Sequence, residues 1–335
     1  MKFGLVPVAD CDGALNAHAI KTGELVLKKG ELIERHHIAL LHAAGIEAIV
    51  AARLEAGDIG ENQAAERLAE ALAGTGLQVE VPFTGRCNLK AACNGIFVAD
   101  AGAIDRINMI DESITLATLQ PMRPVMAGEM VATVKIIPFA VPGEALERAL
   151  VEARAAPLKI VSFQPLRVGV ISTLLPGLKG STIAKTLGIL TKRLAPAGAS
   201  IVAEERVPHE TAALAPALRR VGEASDLVIV FGASAIIDRR DVVPSAIEKA
   251  GGAIDHFGMP VDPGNLLLIG KLAGEKPVIG APGCARSPKE NGFDFVLNRM
   301  LARLPVTGRD IQNMGAGGLL TEIGSRPQPR ASSDG

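Results

Sequence analysis

From Arg167 onward, short β-branched runs alternate with stretches of helical periodicity. Arg167–Thr173 (RVGVIST), Ser200–Glu204, Asp226–Phe231 (DLVIVF) and Ala253–Phe257 are apolar and short, and they predict strands. Ser181–Leu194 sets Ile183, Leu187, Leu190 and Leu194 on one helical face, behind Ser181 and Thr182 with their N-capping hydroxyls. Thr211–Val221 and Val242–Ala250 read as further helices, the second closed by Gly251–Gly252. Leu266–Ile269 and Pro277–Gly280 flank Gly270–Lys276 as a hairpin. Lys289–Leu304 carries Phe293, Val296, Leu297, Met300, Leu301 and Leu304 on one helical face. Strands alternating with helices imply βαβ units. The predicted class is α/β, a three-layer, mostly parallel sheet covered on both faces.

Residues 1–160 are less regular. Short strands (Lys2–Val8, Leu25–Lys28, Ile46–Ala51, Leu77–Pro82, Ile96–Ala99, Met130–Pro138) are interleaved with helices at Ile33–Ala44, Glu61–Ala73, Ala103–Asn108 and Gly143–Ala155. This predicts an N-terminal α+β domain over 1–160, a second domain over 165–323, and a boundary near Ala155–Pro165. Residues 324–335 are polar and Pro-rich and predict a disordered tail or linker, either a frayed terminus or the lead into a further domain. No internal repeat stands out.

Composition narrows the function classes. The 335 residues carry 35 basic and 36 acidic side chains, so no basic footprint for nucleic acid or an anionic membrane exists. Aromatics are 3%, all Phe, which leaves base-stacking platforms poorly supplied. No run of about 18 apolar residues lacks charges, so no spanning helix is expected. The opening MKFGLVPVADCDG lacks the plan of a secretory signal. Cys11, Cys87, Cys93 and Cys284 form no CxxC pair and fit reduced thiols. Together these read as a soluble cytoplasmic protein.

In an open α/β sheet, ligands bind beyond the carboxyl ends of the strands. Five loops qualify. Leu174–Thr182 (LLPGLKGST) places Lys179, Ser181 and Thr182 at a helix N-terminus, an anion site in waiting or a plain connection. Its order is KGST, so the phosphate-loop reading GK[ST] fails. Arg206–Glu210 (RVPHE) offers His209 as an acid, base or metal ligand, with Glu210 as a helix-start residue. Gly232–Asp241 (GASAIIDRRD) opens with Gly232, Ala233, Ser234 and Ala235, small enough for a planar ligand to approach. Asp241 then stands as either a metal carboxylate or a helix cap. The last two loops carry Asp262, Pro263, Gly264 and Asn265, and Pro282, Gly283, Arg286, Ser287 and Lys289.

These segments resemble a family. DLVIVFGASAIIDRRDVVPSAI looks like the TTGGTG…RRDVTP loop of the MoaB/Mog molybdopterin-binding fold. HFGMPVDPGNLLLIGKLAGEKPVIGAPGCARSPKE looks like the KPGKP…GKL…GLPGNPVS stretch of MoeA-type molybdenum-insertion proteins. RVGVISTLLPG resembles the family's opening strand and RVPHE its VPDD/E loop. The likeness covers about residues 165–305, and KKGELIERHHIALLHAAGIEAIVAARLEAGD resembles the MoeA segment that precedes it. The chain is most similar to bacterial molybdopterin-binding proteins that often carry a nucleotidyltransferase domain.

The resemblance implies molybdopterin or adenylyl-molybdopterin as ligand, with Mg²⁺ and molybdate as further expectations. It implies handling of that ligand for molybdenum insertion or nucleotide transfer by a molybdotransferase-like enzyme. The alternative is a non-catalytic carrier working with a separate or fused cytidylyltransferase. Lys179, Ser181 and Thr182 would take the terminal phosphate and Gly232–Ala235 would admit the pterin. Asp241 and His209 would serve catalysis and hold Mg²⁺. Asp262–Asn265, Pro282, Gly283, Arg286 and Ser287 would complete the pocket. A homo-oligomer is expected. The sequence departs from the family pattern: Gly-Ala-Ser-Ala replaces the Gly-Gly motif, one residue is inserted before Asp241, His209 aligns with an Asp, and Asp262 and Asn265 align with two Lys.

Three other clusters carry bland readings. Glu34, His36, His37 and His42 read as a solvated or capping helix face. Cys87 and Cys93 read as inert thiols beside Arg86 and Lys90, while Cys284 sits within a ligand loop. Gly315–Gly318 (GAGG) reads as a turn.

Overall fold

The structure is a computed structural model and describes residues 1–23, 25–177 and 180–320. The expected tail at 324–335 lies outside the described residues, as does Lys179. The chain divides into two compact units, Met1–Ser162 and Phe163–Gly335.

The first unit is α+β and holds two cores. One gathers Val8, Cys11, Leu25, Leu27, Ile33, Leu41 and Ile49 under a three-stranded sheet built from Lys2–Pro7, Ala48–Arg53 and Leu15–Asn16. The other packs helices Glu61–Leu72 and Gly143–Ala155 on an antiparallel sheet of Ile114–Thr118, Met130–Ile136, Arg86–Ala91 and Leu77–Val79. Arg86–Ala91, Ile114–Thr118 and Lys159–Ser162 are strands that hydropathy missed. Arg86–Ala91 alternates buried Cys87, Leu89 and Ala91 with the half-buried polar residues Arg86, Asn88 and Lys90, so its apolar half alone looks too weak.

The second unit is a three-layer α/β sandwich. Its strands are β1 (Arg167–Leu174), β2 (Ser200–Pro208), β3 (Leu227–Phe231), β4 (Ala253–Phe257), β5 (Leu268–Leu272) and β6 (Lys276–Ala281). Its helices are α1 (Gly180–Leu194), α2 (Thr211–Ala224), α3 (Val242–Lys249), α4 (Gly292–Leu301) and α5 (Gly308–Gln312). The sheet order is β2-β1-β3-β6-β5-β4; β2, β1, β3 and β6 are mutually parallel, and β5 runs antiparallel to both of its neighbours. β3 is buried along its whole length, as a central parallel strand covered on both faces must be.

Strand alternation feeds two cores. Val168, Val170 and Phe231 face α1 and α4 together with Leu190, Leu194, Phe293, Val296 and Leu297. Ile171, Val228 and Val230 face α2 and α3 with Leu214, Leu218, Val243 and Ile247. Each fully buried Leu, Val or Phe stabilises by about 1.5–3 kcal/mol, so losing either helix layer would unfold the unit. The predicted helix Lys289–Leu304 is shorter, because Asn291 caps it: its side chain accepts from the Phe293 N–H, and Asp294 accepts the Asn291 N–H in return. The hairpin is confirmed, with its first strand shifted to Leu268–Leu272.

Candidate functional site

The parallel strands β2, β1, β3 and β6 end at one edge. β4 is reversed twice relative to β6 and ends there too. That edge therefore carries residues 175–177, 209–210, 232–241, 258–267 and 282–291, within the loops the sequence singled out.

The last residues of β1 send hydroxyls to opposite faces. Thr173 is fully buried. Its Oγ1 accepts the Ala233 N–H at 2.8 Å and lies 2.8 Å from His209 Nδ1. The contact engages Nδ1 of the ring and leaves Nε2 outside it. One side chain thus ties together the ends of β1, β2 and β3. Ser172 faces the other way, beside Phe231 in register. It is 2% exposed and its Oγ has no hydrogen-bond partner. An unpaired buried hydroxyl costs about 1–3 kcal/mol, an arrangement a bound polar group would relieve.

On that same face lies Arg286. Its Nη2 donates to the Gly232 carbonyl at 2.9 Å and its Nη1 to Thr186 Oγ1 at 3.3 Å, and its Cζ stands 5.4 Å from the Phe231 ring centroid. It has no carboxylate within ion-pair distance among the described residues. Burial alone pushes its guanidinium down from the ordinary range. A half-buried cation without a counter-ion is a standing invitation to an anion, and the planar fork suits an oxyanion.

The loop carrying Arg286 is firmly built. Arg193 of α1 donates to Asp294 through Nε at 2.5 Å and Nη2 at 3.2 Å. It also reaches the carbonyls of Ala285, Ser287 and Lys289. Asn291 adds bonds to the Cys284 and Lys289 carbonyls. The neighbouring loop is stitched on by the Gly292 N–H, which donates to Pro263 O at 2.8 Å. Gly264 has φ +148°, and a Cβ there would lie 2.8 Å from Gly292 Cα, so only glycine allows this approach.

The remaining residues divide. Gly232 and Ala233 are half-buried and engaged as described, while Ser234 and Ala235 are exposed. Ile236 anchors their loop by packing over Gly280. Ser181 and Thr182 are exposed on the first turn of α1. Pro282 is buried, Gly283 is exposed, and Ser287 Oγ accepts the Lys289 N–H. Asp262 pairs through its backbone with the 318–319 segment, and Asn265 bonds within its own loop to Met259 O. Asp241 is the N-cap of α3: Oδ1 accepts the Val242 N–H at 2.7 Å and Oδ2 the Ile237 N–H at 3.3 Å. Glu210 stands at the N-cap of α2 without a side-chain cap bond.

Both Asp241 oxygens already serve backbone amides, and His209 Nδ1 is taken by Thr173. Among the described residues no group of three or more His, Cys, Asp or Glu is placed to hold a metal. Arg286 adds a half-buried positive charge to this edge.

Sequence reasoning missed Ser172, Thr173, Thr186 and Arg193. Thr186 left a signal, a hydroxyl on an otherwise apolar helical stripe between Ile183 and Leu190. Elsewhere, Glu34 and His37 form a capping box, and the GAGG turn packs on Pro260. Burial pushes the Cys87 thiol up to about 11, which keeps it inert. A cavity of about 310 Å³ opens at the opposite edge of the sheet, against Leu166, Asp226, Met300 and Val306, and includes none of these loop residues.

Residues 169–303 match the model of a family described as a "probable molybdopterin binding domain". Among solved structures, the chain is similar to the molybdopterin biosynthesis MoeA protein of Pyrococcus horikosii. The identity is 15% over 92% of this chain and 76% of that one, with a TM-score of 0.31. A molybdenum cofactor biosynthesis protein of Pyrococcus furiosus gives 15% identity over 90% of this chain and 64% of that one, with a TM-score of 0.27. No curated protein matches the chain significantly.

Proposed function

We propose that this chain, which carries a molybdopterin-binding family domain over residues 169–303, holds a molybdopterin-class ligand on the carboxyl edge of its second sheet. The bound form would be molybdopterin or its adenylyl derivative, kept for molybdenum insertion or nucleotide transfer. The observation that carries this reading is Arg286, a half-buried guanidinium without a carboxylate among the described residues, on the same sheet face as the unpartnered hydroxyl of Ser172. A terminal phosphate would bind there. The half-buried backbone at Gly232 and Ala233, followed by exposed Ser234 and Ala235, would take the flat pterin.

The engaged oxygens of Asp241 support a holding role, with chemistry completed by a partner such as a nucleotidyltransferase. A second reading, a molybdotransferase-like catalyst, is favoured by His209. Its ring is fixed by Thr173 and presents Nε2 for proton transfer. Molybdate would then be a substrate.

The test is to purify the chain from a host that makes molybdopterin, denature it, oxidise the released material and measure pterin fluorescence. We expect near-stoichiometric pterin, reduced at least about tenfold in Arg286→Gln, the scale of a lost charge-assisted contact. No pterin, even after loading with excess cofactor, would overturn the reading.

A further inference from the structure

The first unit holds a cavity of about 550 Å³, within the range of small-molecule sites. It is separate from the edge described above. Its walls come from distant parts of that unit, including strand Lys2–Pro7, the turn at Lys29, helix Glu61–Leu72 and the strands Arg86–Ala91 and Met130–Ile136.

Its charge is lopsided in a chain whose net charge is −1. Lys29, Arg86 and Lys135 line it against one carboxylate, Glu61. That carboxylate belongs to Lys135, whose Nζ lies 3.6 Å from Glu61 Oε2 and donates to Thr84 O at 2.5 Å. The arrangement is built around Gly85, where a Cβ would fall 2.8 Å from Lys135 Nζ and 2.8 Å from Ile136 O. Lys29 and Arg86 remain. Arg86 donates to the Thr133 hydroxyl at 3.1 Å, and Lys29 Nζ stands 5.9 Å from the Phe139 ring centroid. Neither has a carboxylate within ion-pair distance among the described residues. Exposed His18 adds a third group that is positive when protonated.

The same cavity is apolar where it is not cationic. Phe3 is 59% exposed and Ile137 58%, and Phe139 is only half-buried. Two of the chain's nine Phe, in a protein without Trp or Tyr, thus face one concave surface. Rings beside carboxylate-free cations match an anion that carries a ring of its own. Two unneutralised cations match a dianion better than a carboxylate.

We propose that this cavity is a binding site for a small planar aromatic phosphate monoester, its ring against Phe139 and Phe3 and its phosphate between Lys29 and Arg86. The site stands independently of the ligand assigned to the second unit.

The test uses the full chain and phenyl phosphate as probe, followed by ligand-observed NMR and calorimetry, with benzoate and inorganic phosphate as partial probes. Phenyl phosphate should bind with a dissociation constant of about 1 mM, as suits a ligand this small. Benzoate and phosphate should each bind at least several-fold more weakly. Arg86→Gln and Lys29→Gln should each weaken phenyl phosphate markedly, about tenfold for Arg86. Phe139→Leu should weaken phenyl phosphate and leave inorganic phosphate unchanged. Arg286→Gln, in the other unit, should leave the binding at this cavity intact. Lys29 lies on an exposed turn, so its variant keeps the test valid if Arg86→Gln fails to fold. No binding of phenyl phosphate, binding insensitive to Lys29→Gln, or binding abolished by Arg286→Gln would each overturn the proposal.

Discussion

Replacing Arg193 by Met should dismantle the loop that presents Arg286. The Arg193–Asp294 pair is nearly enclosed, with side chains 10% and 13% exposed, and it is bidentate. Removing one partner of a buried pair costs about 3–5 kcal/mol, because the other charge is left uncompensated. Asp294 keeps the Asn291 N–H as a donor, which moves the figure to the low end, about 3 kcal/mol. The carbonyls of Ala285, Ser287 and Lys289 lose their shared donor, and those near the surface turn to water. For a domain of this size the loss amounts to about 6–12 °C in Tm of the second unit. Denaturant unfolding of wild type, Arg193→Met, Asp294→Asn and the double variant provides the assay. The single effects should not add, with a coupling energy of about 2 kcal/mol. Pterin retention should fall in parallel with Arg193→Met even at temperatures where the variant is folded. A Tm shift below about 2 °C, or additive single effects, would refute the reasoning and leave Asn291 as the loop's main support.

Thr173→Val should strand the Ala233 N–H and release the imidazole, costing about 1–3 kcal/mol, and ¹⁵N NMR of His209 should show its ring-nitrogen shifts change. Gly264→Ala should destabilise the second unit by at least about 2 kcal/mol, seen as an earlier denaturant midpoint, because the new Cβ meets the Gly292 backbone. Cys87 should resist iodoacetamide at pH 8 in the folded chain, since burial holds its thiol protonated near 11; alkylation at the rate of a free thiol would contradict this. The Thr307 hydroxyl, followed by burial working against it and the Thr307 N–H, leaves Asp310 lowered from the ordinary carboxylate range. A lowered folded value contributes stability above pH about 4 that is lost as pH falls through it. Thr307→Val should therefore differ from wild type at pH 7, by an amount that shrinks as pH falls below about 4 in thermal melts.

The alternation of β-branched runs with helical stripes was enough to read the second unit, because parallel strands buried on both faces are apolar throughout. DLVIVF became the fully buried β3 for that reason. The first unit was harder to read because its strands are half-polar, as Arg86–Ala91 shows. At the ligand edge, loop position was legible from topology and motif order. Roles were less so. Asp241 sits one residue before a helix, where a capping carboxylate and a metal carboxylate look alike in sequence, and both its oxygens turn out to serve amides. Arg193 was hidden because its partner is about a hundred residues away, and a helix-borne Arg carries no local mark of what it reaches.

The Gly264–Gly292 contact and the Arg193 staple also partition mechanical freedom around the ligand edge. The segments at 259–265 and 282–292 are joined by the Gly292 N–H to Pro263 O bond and the close Gly264–Gly292 approach, with the Met259 side chain packed over Gly292, so they are coupled at their junction. Across from that junction, the 233–240 loop is fixed at Ala233 and Ile236 but exposes Ser234, Ala235 and Ile237. Among the described residues, that strip is a place where the edge can adapt to a ligand of different length. Selectivity for the ligand's shape would change through substitutions at 234, 235 and 237, whereas substitutions at Gly264 or Arg193 would change how firmly Arg286 is presented.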